Sequence, residues 1–402
     1  LFLVVWALAQ GARRASWVAV AGALFALTAP TLVEIHLMAW SEPAFLVGVL
    51  LSCLLLAMYL DAPRWPFLLA AALATSLALL TRYAGVALVG AGGLSLLLLD
   101  RRRWPHRLGA SAAFGLISVL PLALWTLYTL TAAGRASSRE LAFHPIGREQ
   151  LGQALDTLAG WLLVPHTAPT MVKFGALIVA GAALAVAWAK AQALPPLVKV
   201  LGLFSMVYLA FLALSISFFD ANTPLDNRIL SPLYATGLIV ALSVVGAHVR
   251  RGVPAIVALG VAVILAMASG APGARLLSAS YSEGLGFNSI VWRVSPTLAQ
   301  IRELPADVPI YANAPEAITI HTGRAAARIP RREDATTRRA NPRYTAEIAA
   351  LRASVMDQRG VVVYFTQVER RAPPTEEELR DLLSLRVLVT TADGRIYSRA
   401  GL

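Results

Sequence analysis

The chain has 402 residues, of which 57% are hydrophobic and only 14% charged, and its formal net charge is +12. An ordinary soluble domain is about 25% charged, so this composition points to a membrane protein rather than a purely soluble one. The basic excess is scattered through short loops and lacks the contiguous stripe of a nucleic-acid footprint. The single cysteine, Cys53, leaves no intrachain disulfide and no thiolate metal site to build.

Charge is sparse up to about residue 270 and dense after it, which divides the chain into a membrane part, 1–270, and a soluble tail, 271–402. A spanning helix needs roughly 20 mostly apolar residues. Ten segments fit: 1–10 in part, 17–35, 43–60, 66–81, 83–99, 109–130, 170–189, 197–218, 229–247 and 253–270. Leu1–Ala9 is already apolar and lacks a basic leader. Nine helical residues rise only about 13 Å, so the chain is expected to begin inside a spanning helix, with further sequence upstream.

Orientation follows from the basic residues of the loops. Arg13 and Arg14; Arg64; Arg101, Arg102, Arg103 and Arg107; Lys190 and Lys199; and Arg250 and Arg251 fall on alternate loops, accompanied only by Asp61 and Asp100. That set reads as cytoplasmic. The other loops mix acids with arginine and read as the outer face, which places the tail outside the cytoplasm. The longest outer loop, 131–169, contains Arg148–Leu163, with leucines at 151, 155, 158 and 162. This spacing predicts an amphipathic helix at the membrane surface, with Trp161 at the interface.

The tail alternates strand and helix and is expected to form a small α/β domain. The reading is a strand over 308–312, a helix over 315–322 ended by Gly323, a helix over 343–359 and a strand over 361–365. A helix over 375–385 follows, with Thr375 and Glu378 as a capping box. A hairpin then turns at Ala392-Asp393-Gly394. Arg324–Arg339 reads as an exposed basic loop. His321 reads as a surface or capping residue, and no catalytic arrangement or phosphate loop is visible in the tail.

Ionisable groups at membrane depth are functional candidates by default. Glu34, His36, Ser41 and Glu42 share one outer turn, Arg82 and Tyr83 the next, and Asp220, Asp226 and Arg228 another. Arginine suits a phosphate because its planar fork donates two parallel hydrogen bonds. The local alternatives are an acid favouring a helix start at Glu42, a snorkelling Arg82 and a loop salt bridge between Asp226 and Arg228. His36, His144 and His166 each suit interfacial or structural roles as well.

Short motifs sit on these turns. They are Ser41-Glu42-Pro43 with Phe45, Leu80-Thr81-Arg82-Tyr83-Ala84-Gly85, and Asp226-Asn227-Arg228 with Pro232 and Leu233. With Tyr311–Arg324 in the tail, the chain resembles the bacterial C-superfamily glycosyltransferases over most of residues 17–330. That group includes the family 39 protein O-mannosyltransferases and the lipid A aminoarabinose transferases. The resemblance implies inverting transfer of a sugar from a polyprenyl-phosphate carrier to a hydroxyl of a glycan, lipid or protein acceptor. It needs no cofactor or metal, because the lipid-linked sugar is the substrate. The family's base is an Asp in the first outer loop, which by the topology above lies upstream of Leu1, so no residue is assigned that role. Arg82 and Arg228 are then expected at the lipid phosphate, with Glu42 and Asp226 orienting arginine or sugar hydroxyls and Tyr83, His36 and Glu34 completing the binding set. The competing readings are a flippase for lipid-linked saccharides and a membrane sensor or scaffold acting through the tail.

Overall fold

The computed structural model describes residues 16–38, 40–134, 141–190, 194–249, 253–334, 339–357, 360–368 and 374–399. The chain divides into two compact units, Leu1–Ser278 and Ala279–Leu402.

The first unit is helical. Its elements are α1 (Ser16–Thr28), α2 (Pro30–Leu37), α3 (Glu42–Asp61), α4 (Trp65–Thr81), α5 (Gly85–Leu99) and α6 (Trp104–Ala133). They are followed by α7 (Arg148–Trp161), α8 (Thr170–Lys190), α9 (Pro196–Phe218), α10 (Asn227–His248) and α11 (Val253–Glu283), whose residues from Ala279 onward belong to the second unit. Among the described residues six helices are long and apolar enough to cross a membrane: α3, α6, α8, α9, α10 and α11. The α1–α2 pair makes a seventh if it counts as one span, although it bends by 51°. Pro30 explains the bend, since it has no N–H to donate and its ring clashes with the preceding turn.

The sequence reading of ten spans is longer than this. Residues 1–10 lie outside the described residues, and α4 and α5 have only 17 and 15 residues. At 1.5 Å per residue these two rise about 26 and 22 Å, short of a ~30 Å hydrocarbon core. α11 in turn runs past residue 270 to Glu283, with Pro272 inside it.

Helix α3 is the centre of the packing. Phe45, Val49, Cys53, Leu54 and Leu56 are buried along it, and Ser52 shares a 2.7 Å hydrogen bond with Thr75 of α4. Small residues let backbones approach, as is usual between membrane helices. A Cβ at Gly48 would sit 2.8 Å from that of Ala78, and one at Gly92 of α5 would overlap the Phe114 ring of α6. The periphery is inverted relative to a soluble protein. In α8 the one buried residue is Lys173, whose ammonium lies 2.6 Å from Asp156 and donates to the His166 carbonyl at 2.7 Å. Apolar side chains such as Ile178 and Val179 face outward.

The expected amphipathic helix forms as α7, and it lies along the loop that leads into α10. Gln150 donates to the carbonyls of Ala221 and Thr223. Gln153 accepts from the Leu225 N–H, and Thr157 donates to the Leu225 carbonyl. These three side chains, spaced three and four apart, share one helix face.

The second unit contains α12 (Ile290–Arg293), α13 (Pro296–Glu303), β1 (Ile310–Ala312), α14 (Pro315–Thr322), β2 (Ala327–Arg328) and α15 (Tyr344–Asp357). β3 (Val361–Phe365), α16 (Glu376–Leu383), β4 (Arg386–Thr390) and β5 (Gly394–Ser398) complete it. The sheet order is β2-β1-β3-β5-β4, with β1 parallel to β2 and β3 and the β4–β5 hairpin antiparallel. One face buries Leu298, Ile301, Ile310, Phe365 and Ile396, and the other Ile329, Leu351, Val362 and Leu379. Gly323 ends α14 at φ 71°, and Thr375 and Glu378 form the capping box of α16. The basic stretch 324–339 differs from its reading as a loop, because Ala327–Arg328 supplies the edge strand β2. Two residues are too few to show a strand period. His321, at the end of α14, donates from Nε2 to the Phe287 carbonyl at 2.6 Å.

The hairpin turn also anchors α13. Asp393 accepts from Ser295 Oγ, from Thr297 N–H at 3.1 Å, from Thr297 Oγ1 at 2.6 Å and from Thr391 Oγ1 at 3.0 Å. Burial alone raises its pKa, but the hydrogen bonds from Ser295, Thr297 and Thr391 outweigh burial and hold the carboxyl below the usual carboxylate range.

Two outcomes are expected. Gly92→Val lowers the thermal midpoint in detergent, at about 1–3 kcal/mol for overpacking, whereas Gly109→Ala, where a Cβ meets nothing within 4 Å, does not. The stabilisation from ionised Asp393 is complete above the unfolded carboxyl pKa of about 3.9 and is lost as pH falls through the lower folded value. The protection factors of the β3 and β5 amides in the full chain, measured against the intrinsic exchange rate at each pH, are therefore expected to fall below about pH 4, and Asp393→Asn removes most of that pH dependence.

Candidate functional site

The site is built at one end of the bundle from the termini of three helices. Glu42 is the first residue of α3, where an acid is favoured by the helix dipole. Its side chain is nevertheless only 2% exposed. An ionised carboxylate so deeply buried must be paired. Glu42 Oε1 meets both Arg82 Nη1 and Arg228 Nε in two short ion pairs, while Oε2 is buried with no hydrogen-bond partner among the described residues.

Arg82 lies just beyond the C-terminus of α4, where the dipole favours a cation, and also donates to Ser41 Oγ at 3.1 Å. Arg228 is the second residue of α10, where the dipole disfavours a cation. Glu42 offsets this, and so does the Trp40 ring, whose centroid lies 4.6 Å from the guanidinium. Pro232 shapes this first turn. It cannot donate to the Arg228 carbonyl, so Ser231 Oγ does, at 2.9 Å. Tyr208 of α9 donates to the Ile229 carbonyl at 2.9 Å. Arg228 retains both terminal amino groups without a protein partner among the described residues, and its side chain is 38% exposed.

A second polar group lies alongside. The Asn227 amide accepts from Thr31 Oγ1 at 3.0 Å and from Trp161 Nε1 at 3.1 Å, and donates to Glu34 Oε2 at 3.2 Å. It thus ties α2, α7 and α10 together. Trp161 and Tyr234 pack edge to face at 5.2 Å, and both line an apolar cavity of about 560 Å3 that extends among Trp17, Phe25, Leu238 and Val261. That volume falls within the usual range of ligand sites.

Of the residues expected from sequence, Glu42, Arg82 and Arg228 come together and Glu34 lies next to them through Asn227. The remainder sit elsewhere or have other work. Asp226 is the N-cap of α10, accepting from the Ile229 N–H at 3.1 Å, and no bond joins it to either arginine among the described residues. Tyr83 is 60% exposed. His36 is exposed and donates back to the Leu32 carbonyl at 2.7 Å, within its own helix. Asp220 holds its own turn through the Asn222 N–H. Trp40, Tyr208, Asn227 and Thr31 were not legible as site residues, because each acquires its role from a contact distant in sequence. The one local hint was Asn227, a polar residue between two charged ones at a helix start.

The opposite end of α3 carries a separate charged group. Asp100 pairs with Arg102 at 2.6 Å, and Arg102 also reaches the Tyr59 hydroxyl. Tyr59 stands 17 residues after Glu42, about 25 Å along the helix, so the two clusters mark opposite ends of the bundle. Among the described residues no three His, Cys, Asp or Glu side chains converge as metal ligands. No protein-family model matches the chain, and a search of curated proteins finds no match either.

Removing Glu42 leaves two cations facing each other. Breaking a buried pair typically costs about 3–5 kcal/mol, and the partial exposure of Arg228 lets it rehydrate, which favours the lower figure. Glu42→Leu is therefore expected to destabilise the bundle by about 3 kcal/mol in detergent melts, and Glu42→Leu combined with Arg82→Met by clearly less.

Proposed function

We propose that this chain is a multi-pass membrane glycosyltransferase of the C-superfamily type, moving a sugar from a polyprenyl-phosphate donor to an acceptor hydroxyl with inversion. In this reading about ten segments span the inner (plasma) membrane, the site faces the extracytoplasmic side, and the C-terminal unit lies on that side. The acceptor is a glycan, a lipid or a protein. The observation that carries the reading is the buried Glu42 carboxylate, which gathers two arginines from separate helices, one of them next in the chain to Asn227, which is bonded to Trp161 on the wall of an apolar cavity.

The charge of that centre suits the chemistry. The Glu42 carboxylate and its two guanidiniums together carry a net charge of +1, the complement of a singly charged phosphodiester donor, while Glu34 lies beyond Asn227. The acceptor oxygen attacks the anomeric carbon, and the bond from that carbon to the phosphate oxygen breaks. The lipid phosphate leaves as a monoester with one more negative charge. The unpaired amino groups of Arg228 are free to meet that charge as it develops, which is where stabilisation accelerates a reaction. Arg82, paired with the same Glu42 oxygen, contributes a second guanidinium. The acceptor proton passes to a base that is assigned to no described residue.

A carrier for lipid-linked saccharides is the second reading. The broken α1–α2 pair beside the charged centre favours it, since carriers place discontinuous helices at their sites. The two readings separate in reconstituted vesicles, where a transferase forms glycosylated acceptor and a carrier moves the lipid without chemistry. The transferase reading predicts that Arg82→Ala with Arg228→Ala lowers kcat on the order of 10²–10³-fold in the protein with any upstream sequence restored. Full activity in that double variant overturns the assignment of the site.

A further inference from the structure

Asn227 links the charged centre to the apolar cavity: it precedes Arg228 in the chain and accepts a hydrogen bond from Trp161, whose ring lines the cavity. On α10 the cavity is lined by Tyr234, Leu238, Ala241, Leu242 and Val245. These positions follow Asn227 by 7, 11, 14, 15 and 18 residues, so they continue one helical face of which Asn227 is the head. From Tyr234 to Val245 that stripe rises about 17 Å, roughly one leaflet of a ~30 Å hydrocarbon core. Arg228, the next residue, turns toward Glu42 instead.

The mouth of the cavity is held from the other side by the end of α7. Trp161, Leu162 and Leu163 all line the cavity, and Leu163 has a φ of 61°, a left-handed conformation that is strained for a leucine. Trp161 is the joint, with its ring on the cavity wall and its N–H on Asn227. The Asn227 carbonyl oxygen already receives two donors, and its amide gives one hydrogen to Glu34. A primary amide has two such hydrogens, so one remains for a ligand atom.

We propose that Asn227 is a positioning residue that joins two half-sites into one, so that the protein selects an amphiphile by both ends. The hydrocarbon chain lies along the Tyr234–Val245 stripe and the anionic group lies at Arg228 and Arg82. Asn227 fixes the register between them, braced by Trp161. This rests on the lipid-phosphate reading of the arginine centre.

The test uses the full chain in phosphatidylcholine nanodiscs, with farnesyl phosphate, farnesol and inorganic phosphate as probes and Kd measured for each. The wild type is expected to bind farnesyl phosphate about tenfold or more tighter than farnesol, as charge-assisted hydrogen bonds at the arginines require, and to bind inorganic phosphate weakest of the three. Asn227→Ala is expected to cut that preference to about threefold or less while leaving farnesol affinity unchanged. Trp161→Phe, which keeps the ring and loses only the N–H, should reduce it in the same direction and decides the matter if Asn227→Ala does not fold. An undiminished preference in both variants overturns the positioning role and leaves the lipid-phosphate reading standing. Equal weakening of both lipids in Asn227→Ala marks a collapsed cavity and also overturns it. No preference in the wild type overturns the lipid-phosphate reading itself, and the proposal with it.

Discussion

A buried carboxylate cannot stay ionised in a membrane protein unless charge is brought to it, and the architecture around Glu42 answers that requirement. Its one paired oxygen takes Arg82 from the end of α4 and Arg228 from the start of α10. Three helix termini are therefore fixed with respect to one another by one side chain. The arrangement is helped by the dipoles of α3 and α4 and opposed by that of α10. The opposition explains why the α10 terminus is so heavily supported. Asp226 caps it, Ser231 replaces the donor that Pro232 lacks, Tyr208 bonds its third carbonyl and Trp40 covers the guanidinium.

The same constraint makes the centre suited to ligand chemistry. A structural ion pair would be expected to saturate its polar groups, since a half-satisfied buried network is worse than none. Here, among the described residues, Glu42 Oε2 is left without a partner and the outer amino groups of Arg228 are open. The charged group at the far end of α3 is different in kind. Asp100 takes Arg102 with both oxygens, Arg102 also holds Tyr59, and Arg107 caps the carbonyls of Leu97 and Arg102. That end is closed by its own bonds, whereas the Glu42 end has capacity to spare.

In the C-terminal unit the polar side chains largely serve the fold. Asp393 gathers four donors, Asn313 bridges both backbone groups of Phe365, and Arg324 donates to four carbonyls. Glu376 is shared by Arg395 and Tyr397, and burial, followed by that carboxylate, pushes the Tyr397 hydroxyl up to about 12. Groups so fully committed to one another have little left for chemistry.

What the sequence determined by itself was everything carried by local physics. Apolar run length marked most helices, the 3.6-residue period marked α7, Thr375 with Glu378 marked the start of α16, and Gly323 the end of α14. Clustering of Arg82 and Arg228 with acids on loops of one side also identified that end of the bundle as the place to look. Tertiary structure alone decided which charges meet. Glu42 and Arg228 are 186 residues apart and Glu34 and Asn227 are 193 apart, and no period or cap encodes such a pairing. Asp226 and Arg228 illustrate the difference. They looked equivalent in the sequence, two residues apart with opposite charge. The helix that starts between them sends the carboxylate back onto its own N-terminus and the guanidinium across to another helix, because an N-cap and the second residue of a helix point in different directions. Asn227, lying between them, was visible only as part of a short motif, and packing gave it its role by placing Thr31, Glu34 and Trp161 around it.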